Sequence, residues 1–116
     1  NLSDKTYILN LATSTWSIGA SLPLGLKNTS CTSDSSYVYI FGGEFGSTSR
    51  TTYNLVYDPD NDMYFQEAPL PTPRHGTKAV CIGHKIYVIG GYNSTGILYD
   101  NLVFSTNKKY YIHCKN

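Results

Sequence analysis

Short apolar runs alternate with turn-forming residues along the chain, and no segment sustains a helical period. In residues 85–89, Ile86 and Val88 alternate with Tyr87 and Ile89, which is typical of a half-buried or sandwiched strand. Glycine, proline, asparagine and aspartate separate such runs and favour tight turns. The pattern predicts an all-β fold. The last full unit is predicted to hold four short strands, at residues 76–82, 85–89, 98–104 and 110–114.

Two apolar runs end in glycine pairs, and these pairs reveal a repeat. Gly42-Gly43 and Gly90-Gly91 lie 48 positions apart, and the same offset places Tyr39 on Tyr87. It also aligns residues 20–23 with 68–71, while an offset of 47 aligns residues 57–65 with 104–112. A period of about 40 to 50 residues with a strand ending in Gly-Gly indicates propeller blades.

The repeat resembles the kelch repeat, which has a hydrophobic strand ending in Gly-Gly, a Tyr-Asp-Pro-like turn, an aromatic residue and a Pro-x-x-Arg-like link. Residues 86–91, 56–59 and 71–74 carry these features, with Tyr64 as the aromatic residue. Trp stands at the aromatic position only in the first unit, as Trp16. The resemblance implies an all-β, kelch-type β-propeller segment of about two and a half four-stranded antiparallel blades.

The resemblance also implies how the chain is divided. Residues 6–19 are expected to form the last two strands of an incomplete blade, and residues 28–66 and 75–114 one kelch blade each. Propellers close with about 4 to 8 blades, so the remaining blades are expected from the same longer chain or from another subunit. The start, Asn1-Leu2-Ser3-Asp4, has neither an initiator Met nor a leader pattern. We therefore expect a segment of something larger, or a processed chain.

The recurring glycine and aromatic positions predict how blades pack. A glycine has no Cβ, so a ring or a neighbouring backbone can approach it closely. We expect the aromatic residue of the fourth strand to pack near a glycine pair, and a Cβ at Gly90 to find no room. The predicted structural positions are Trp16, Tyr39, Gly42, Gly43, Tyr64, Tyr87, Gly90, Gly91 and Tyr111.

Composition narrows the possible partners. The formal net charge is +1 and 15% of residues are charged, so no basic surface argues for nucleic acid. No apolar run approaches the roughly 20 residues of a membrane helix. The sequence therefore predicts neither nucleic-acid nor membrane partners. Three glycosylation-type triplets, at Asn1, Asn28 and Asn93, are close to the number expected by chance, and the compartment stays open with a slight preference for the cytoplasm.

Candidate metal and catalytic patterns are incomplete. Asp58, Asp60 and Asp62 have the spacing of the first calcium-loop ligands, but Met63 stands where that loop needs glycine. An isolated Cys-x-x-His pair is formed by Cys81 and His84, whereas a zinc site needs four converging ligands. Cys31, Cys81 and Cys114 allow at most one disulfide. We expect no metal, no cofactor and no catalytic residue in this segment.

The loops that link strands and blades on one face are the predicted binding surface. In kelch proteins such loops typically contact a partner, and Arg and Tyr often dominate interface energies. We therefore predict a non-catalytic protein-interaction module that contacts a protein partner through these loops. The alternatives are an extracellular carbohydrate-binding or cell-surface propeller, and a fragment of a propeller enzyme whose catalytic residues lie elsewhere. For Arg74 a structural role in holding the inter-blade link is an equal alternative to binding. The candidate residues are Arg50, Arg74, His75, Tyr92 and Asn93.

Overall fold

The computed structural model describes residues 2–107 and, for the backbone alone, residues 111–115. These residues form β-strands joined by turns, and no helix among them is long and apolar enough to cross a membrane. The strands, numbered in chain order, are β1 Tyr7–Asn10, β2 Thr15–Ile18, β3 Ser30–Ser33, β4 Val38–Phe41, β5 Glu44–Phe45, β6 Ser49–Arg50, β7 Asn54–Asp58, β8 Met63–Gln66, β9 Lys78–Ile82, β10 Lys85–Ile89, β11 Tyr92–Asn93, β12 Gly96–Ile97, β13 Asp100–Ser105 and β14 Tyr111–Lys115.

The strands form three successive units, which we call blades 1, 2 and 3. Blade 1 is the antiparallel hairpin β1–β2; blade 2 has the strand order β3-β4-β7-β8; and blade 3 has the order β9-β10-β13-β14. The two full blades are antiparallel throughout. Two small hairpins, β5–β6 and β11–β12, stand apart from these sheets. The predicted all-β fold of antiparallel four-stranded sheets is confirmed, and the segment does not close into a ring.

The predicted strand boundaries agree best at the centre of blade 3. The predicted strand at residues 85–89 coincides with β10, whereas the one at residues 98–104 begins two residues before β13. The difference arises because residues 96–97 pair within the small β11–β12 hairpin before the chain enters the sheet.

The core lies between blades 2 and 3. The β4 residues Tyr39 and Phe41 are buried and meet Phe104 of β13, with ring centroids 5.8 and 6.4 Å apart. Burial of each such side chain contributes roughly 1.5–3 kcal/mol, so this contact is a major source of cohesion between the blades. The other members of the buried cluster are Val56, Leu70, Ile86, Val88 and Leu102.

Blade faces follow from strand alternation. Residues 39 and 41 of β4 face blade 3, while Ile86 and Val88 of β10, also in the buried cluster, face blade 2. Because successive side chains point to opposite faces of a strand, Tyr87 and Ile89 face away from blade 2. Ile89 is 45% exposed, although its repeat equivalent Phe41 is fully buried. The same repeat position is therefore covered in blade 2 and open in blade 3.

The segment that links blade 2 to blade 3 packs against the first glycine pair. Gly42 and Gly43 have φ values of 61° and 107°, which disfavour any residue with a side chain. The Gly43 N–H donates to the Arg74 carbonyl at 2.9 Å. A Cβ at Gly42 would overlap that same carbonyl and contact the Leu70 side chain. Backbone from the link therefore fills the space that the missing side chains leave.

The expectation that a fourth-strand aromatic residue packs on a glycine pair is wrong for the described side chains. Tyr64 of β8 packs on Tyr57, with ring centroids 4.9 Å apart, and its hydroxyl lies 2.7 Å from Thr6 Oγ1. Trp16 of β2 is 67% exposed. Among the other predicted structural positions, Tyr39 is buried and Tyr87 half-buried, and the Tyr111 side chain lies outside the described residues.

The expectation for Gly90 also needs correction. A Cβ there would meet the Leu98 carbonyl at 3.3 Å, which is a tight contact but not the overlap that was expected. Its φ of 60° does favour glycine. The tight position of the second pair is Gly91, where a Cβ would come within 2.6 Å of Thr77 Cγ2 and 2.7 Å of the His75 carbonyl.

Gly42→Ala should therefore lower the free energy of unfolding by about 3 kcal/mol, because left-handed backbone strain adds to displacement of the link. Gly46→Ala is the matched control: its φ is 66°, yet a Cβ there meets nothing within 4 Å. The control should cost only about 1 kcal/mol of backbone strain. Chemical denaturation measures both, and equal losses would contradict the packing argument.

Candidate interaction face

The two small hairpins and the blade links form one face of the segment. Each hairpin begins directly after a glycine pair and is tied to a link by paired backbone hydrogen bonds. Lys27 pairs in this way with Glu44, and His75 with Tyr92, at N···O distances of 2.8–3.1 Å. The β7–β8 turn lies at the opposite end of the strands, because Phe41 is paired with Asn54 while Asp58 is paired with Met63.

Three of the predicted site residues come together across the two blades. Arg50 of β6 donates from Nε to His75 Nδ1 at 2.8 Å, and its Nη1 donates to the Thr48 carbonyl at 3.0 Å. The His75 ring stacks on Tyr92, with centroids 5.6 Å apart and planes at 29°. The Tyr92 side chain remains 48% exposed. The result is an ordered row of a guanidinium, an imidazole and a phenol at the surface.

A carboxylate that the sequence analysis did not select supports this row. Glu44 accepts a hydrogen bond from Asn28 Nδ2 at 2.6 Å, and its other oxygen lies 3.9 Å from His75 Nε2. The Asn28 hydrogen bond holds the pKa of Glu44 below its ordinary 4.5, aided by nearby positive groups and opposed by burial. Its position could have marked it, since Glu44 follows the first glycine pair as Tyr92 follows the second.

Asn93 shapes the tip of the β11–β12 hairpin. Its Oδ1 accepts hydrogen bonds from the Thr95 backbone N–H at 2.8 Å and from the Thr95 hydroxyl at 2.6 Å. This arrangement is a local Asx turn. Asn93 lies beside Tyr92 on β11 and opposite Gly96 of β12, so its carbonyl oxygen orders the hairpin that carries Tyr92.

Arg74 lies in the interior rather than on the face. Its side chain is 1% exposed and forms two hydrogen bonds with the Asp100 carboxylate, at 2.9 and 3.3 Å. It also donates to the Gly90 carbonyl at 3.3 Å and to the Thr72 hydroxyl. Because a buried, carboxylate-paired guanidinium offers a partner no surface, the geometry supports the structural alternative for Arg74. Asp100, its partner, was not selected from the sequence.

The Asp-rich turn lies at the far end of the strands. Asp58 Oδ1 accepts from the backbone N–H groups of Asp60 and Asn61, at 3.0 and 3.3 Å. Asp62 accepts from the Tyr57 hydroxyl at 2.7 Å and from the Ala20 N–H at 2.8 Å. Burial together with this Asp62 hydrogen bond raises the pKa of Tyr57 to about 12. These carboxylates therefore organise the turn and fasten it to the link that follows blade 1.

Comparison with known proteins agrees with this architecture. A family profile described as the Kelch motif matches residues 73–111, which include β9 to β13. An F-box/kelch-repeat protein of Arabidopsis thaliana is 32% identical over 94 residues. The chain belongs to the kelch-repeat family. Kelch-like protein 25 of Xenopus tropicalis is 30% identical over 79 residues, and Beta-scruin of Limulus polyphemus is 29% identical over 90 residues.

These kelch relatives are much longer than the aligned region. The match covers 79% of this chain but 26% of the Arabidopsis relative, 68% of this chain but 13% of the Xenopus one, and 78% of this chain but 10% of the Limulus one. The chain thus spans about a quarter of the plant relative's length and less of the others.

Arg74→Leu should lower the free energy of unfolding by about 3 kcal/mol, because it leaves the Asp100 carboxylate without its buried partner. Arg50→Leu is the matched control, since it removes a guanidinium from the surface row. Its cost should stay below about 1 kcal/mol. Urea denaturation measures the free energy of unfolding of both variants. Equal losses would show that the buried Arg74–Asp100 ion pair adds no more stability than the exposed Arg50 contacts.

The Glu44 contacts predict a pH dependence. Its folded pKa lies below the ordinary 4.5, so its stabilisation is complete above that value and is lost as pH falls through the folded pKa. Wild-type protein should therefore lose its stability advantage over Glu44→Gln as the pH is lowered from about 6 to about 3. Thermal melts across that range measure the difference.

Asn28→Ser provides the control for this assignment, because the Asn28 amide is the main group that lowers the Glu44 pKa. In protein that carries Asn28→Ser, the stability lost through Glu44→Gln should be smaller and should depend less on pH. If the pH profiles of wild type and Glu44→Gln stay parallel, Glu44 does not stabilise the hairpin through its charge.

Proposed function

We propose that the chain is a non-catalytic interaction module that contacts a protein partner through the row formed by Arg50, His75 and Tyr92. The observation that carries this proposal is the assembly of the row from two blades on one face. Arginine and tyrosine are enriched among the residues that dominate protein–protein binding energies. Tyr92 also keeps nearly half of its surface open to a partner.

The hydrogen bonds around the row favour binding because they order it before a partner arrives. Arg50 and its long side chain are fixed by His75 and the Thr48 carbonyl, and the Asn93 turn fixes the hairpin under Tyr92. Ordering a flexible side chain on binding costs about 0.5–1.5 kcal/mol. A preorganised face avoids part of that cost.

The family supports the class of function. The matched relatives are named for kelch repeats, F-box/kelch repeats and scruin, and kelch-repeat relatives suggest protein interaction. Fold alone does not define a function, so the assignment rests on the composition of the row. Its partner is expected to offer an acceptor for the outer guanidinium edge of Arg50 and an apolar contact for the Tyr92 ring.

The proposal predicts that Tyr92→Ala with Arg50→Ala weakens partner binding at least tenfold, about 1.4 kcal/mol. Proteins recovered by affinity purification with the intact polypeptide would be identified first, and their dissociation constants then measured for wild type and variant. Asp60→Ala with Asn61→Ala, on the exposed turn at the opposite end, is the control and should leave binding unchanged.

The comparison of dissociation constants is valid only if the variants are folded. Far-ultraviolet circular dichroism and thermal melts test this. Unchanged affinity of the folded Arg50 and Tyr92 variant would refute the proposed face. A loss with the Asp60 and Asn61 control alone would place the interface at the other end of the strands.

A further inference from the structure

The hydrogen bond between Arg50 and His75 fixes the charge of the imidazole ring. A guanidinium only donates hydrogen bonds, and it keeps its proton at any physiological pH. Arg50 Nε lies 2.8 Å from His75 Nδ1, so Nδ1 is the acceptor and carries no proton. The single N–H of the ring is therefore on Nε2, and the row is built around a neutral imidazole.

The other nitrogen of the ring faces a carboxylate. His75 Nε2 lies 3.9 Å from Glu44 Oε1, and the two side chains are only 16% and 11% exposed. Nε2 carries a proton in the neutral ring and in the charged one, so this contact persists when the ring is protonated. Glu44 also stays ionised at mildly acidic pH, because its pKa lies below the ordinary 4.5. The carboxylate thus retains the ring in both charge states.

Protonation of Nδ1 is incompatible with the Arg50 contact. The added proton would point at the Arg50 Nε–H, so two donors would face each other at 2.8 Å. Both groups would then be positively charged, and like charges at that distance repel. Imidazoles change charge between about pH 5 and about pH 8, whereas a guanidinium does not lose its proton. When the pH falls through that range, Arg50 is the group that has to move.

We propose that His75 is a pH switch of the interaction face: protonation of Nδ1 releases Arg50 from the row, while Glu44 and Tyr92 hold the ring in place. This inference rests on the proposed function, because it concerns the residues that are proposed to contact the partner. The row is ordered at neutral pH and opens at mildly acidic pH. Only the neutral form presents the Arg50 guanidinium in a fixed position.

The charges around the ring, in the described part of the chain, agree with this direction. Arg50 of β6 opposes protonation of the imidazole, and Glu44 of β5 favours it. Lys27, in the link before blade 2, lies near Glu44 and helps to lower its pKa. The Tyr92 ring of β11 stacks on the imidazole, and the face of an aromatic ring attracts a cation. Glu44 and Tyr92 therefore both stabilise the imidazolium once Arg50 has left.

The second hydrogen bond of Arg50 does not replace the lost one. Nη1 donates to the Thr48 carbonyl, two residues away in the same hairpin, so this contact does not reach blade 3. The bond to His75 is what joins the Arg50 side chain to the neighbouring blade. Without it Arg50 regains conformational freedom, which a partner has to remove again on binding.

The switch is tested without a partner by nuclear magnetic resonance of the intact polypeptide with ¹⁵N-labelled histidine and arginine. At about pH 7.5, His75 Nδ1 should be unprotonated and Nε2 protonated. As the pH is lowered to about 5.5, the Arg50 Nε–H signal should move to the position of a free arginine in step with the His75 titration. A proton on Nδ1 at neutral pH, or an Arg50 signal that does not follow His75, would overturn the proposal.

His75→Asn is the matched variant, because the asparagine Oδ1 takes the place of Nδ1 as acceptor and does not titrate. In this variant the Arg50 Nε–H signal should keep its bound position down to about pH 5.5. His84→Gln is the control for other imidazoles, since His84 is exposed in the turn between β9 and β10. The response of Arg50 should persist in that variant, and its disappearance would assign the titration to His84 and refute the switch.

The effect on binding is measured with a partner protein recovered by affinity purification. Its affinity for the wild type should fall about two- to tenfold between about pH 7.5 and about pH 5.5, whereas its affinity for His75→Asn should stay constant. An equal fall for both proteins would overturn the regulation of binding by His75. Failure of the proposed face itself is recognised separately, as unchanged affinity of the variant with Arg50→Ala and Tyr92→Ala at neutral pH.

Discussion

The pairing of each blade link with the residues that precede β1 or β7 of the preceding unit is the interaction on which the arrangement of the described segment depends. Two backbone N–H groups, four residues apart, donate to two adjacent carbonyls, and this occurs at residues 22 and 26 and again at 70 and 74. Backbone groups buried between sheets must find partners. Side-chain substitutions can therefore vary along the repeat while the spacing of the blades stays fixed.

The course of the same link explains why glycine follows β4 and β10. The link passes so near that the Arg74 carbonyl occupies the place of a Cβ at Gly42, and the His75 carbonyl crowds Gly91. It also sets the position of Arg74, whose guanidinium reaches into blade 3 and binds Asp100. The junction of blades 2 and 3 therefore combines a close backbone approach, a buried ion pair and a packed leucine side chain. The surface row of Arg50, His75 and Tyr92 lies next to this junction.

The candidate face is a consequence of blade packing rather than of one loop. Arg50 belongs to the hairpin of blade 2, whereas His75 and Tyr92 belong to the entry of blade 3. Their contact exists only while the two blades keep their spacing. This coupling means that a change at the glycine pair or at Arg74 is expected to separate the residues of the row.

The sequence by itself determined the strands, the repeat period and the family, because alternation, turn residues and glycine pairs are local signals read at fixed spacing. It also placed Arg50, His75 and Tyr92 among the loop residues, since each lies in a segment between predicted strands. It could not separate Arg74 from them, because an arginine after Pro-Thr-Pro is equally compatible with a surface and a buried position. Only the tertiary structure decided that Arg74 turns inward to Asp100, that Glu44 supports His75, and that Gly42 and Gly91 are more crowded than Gly90. These outcomes depend on contacts between segments about 15 to 30 residues apart, and their distances are set by how one blade packs against the next.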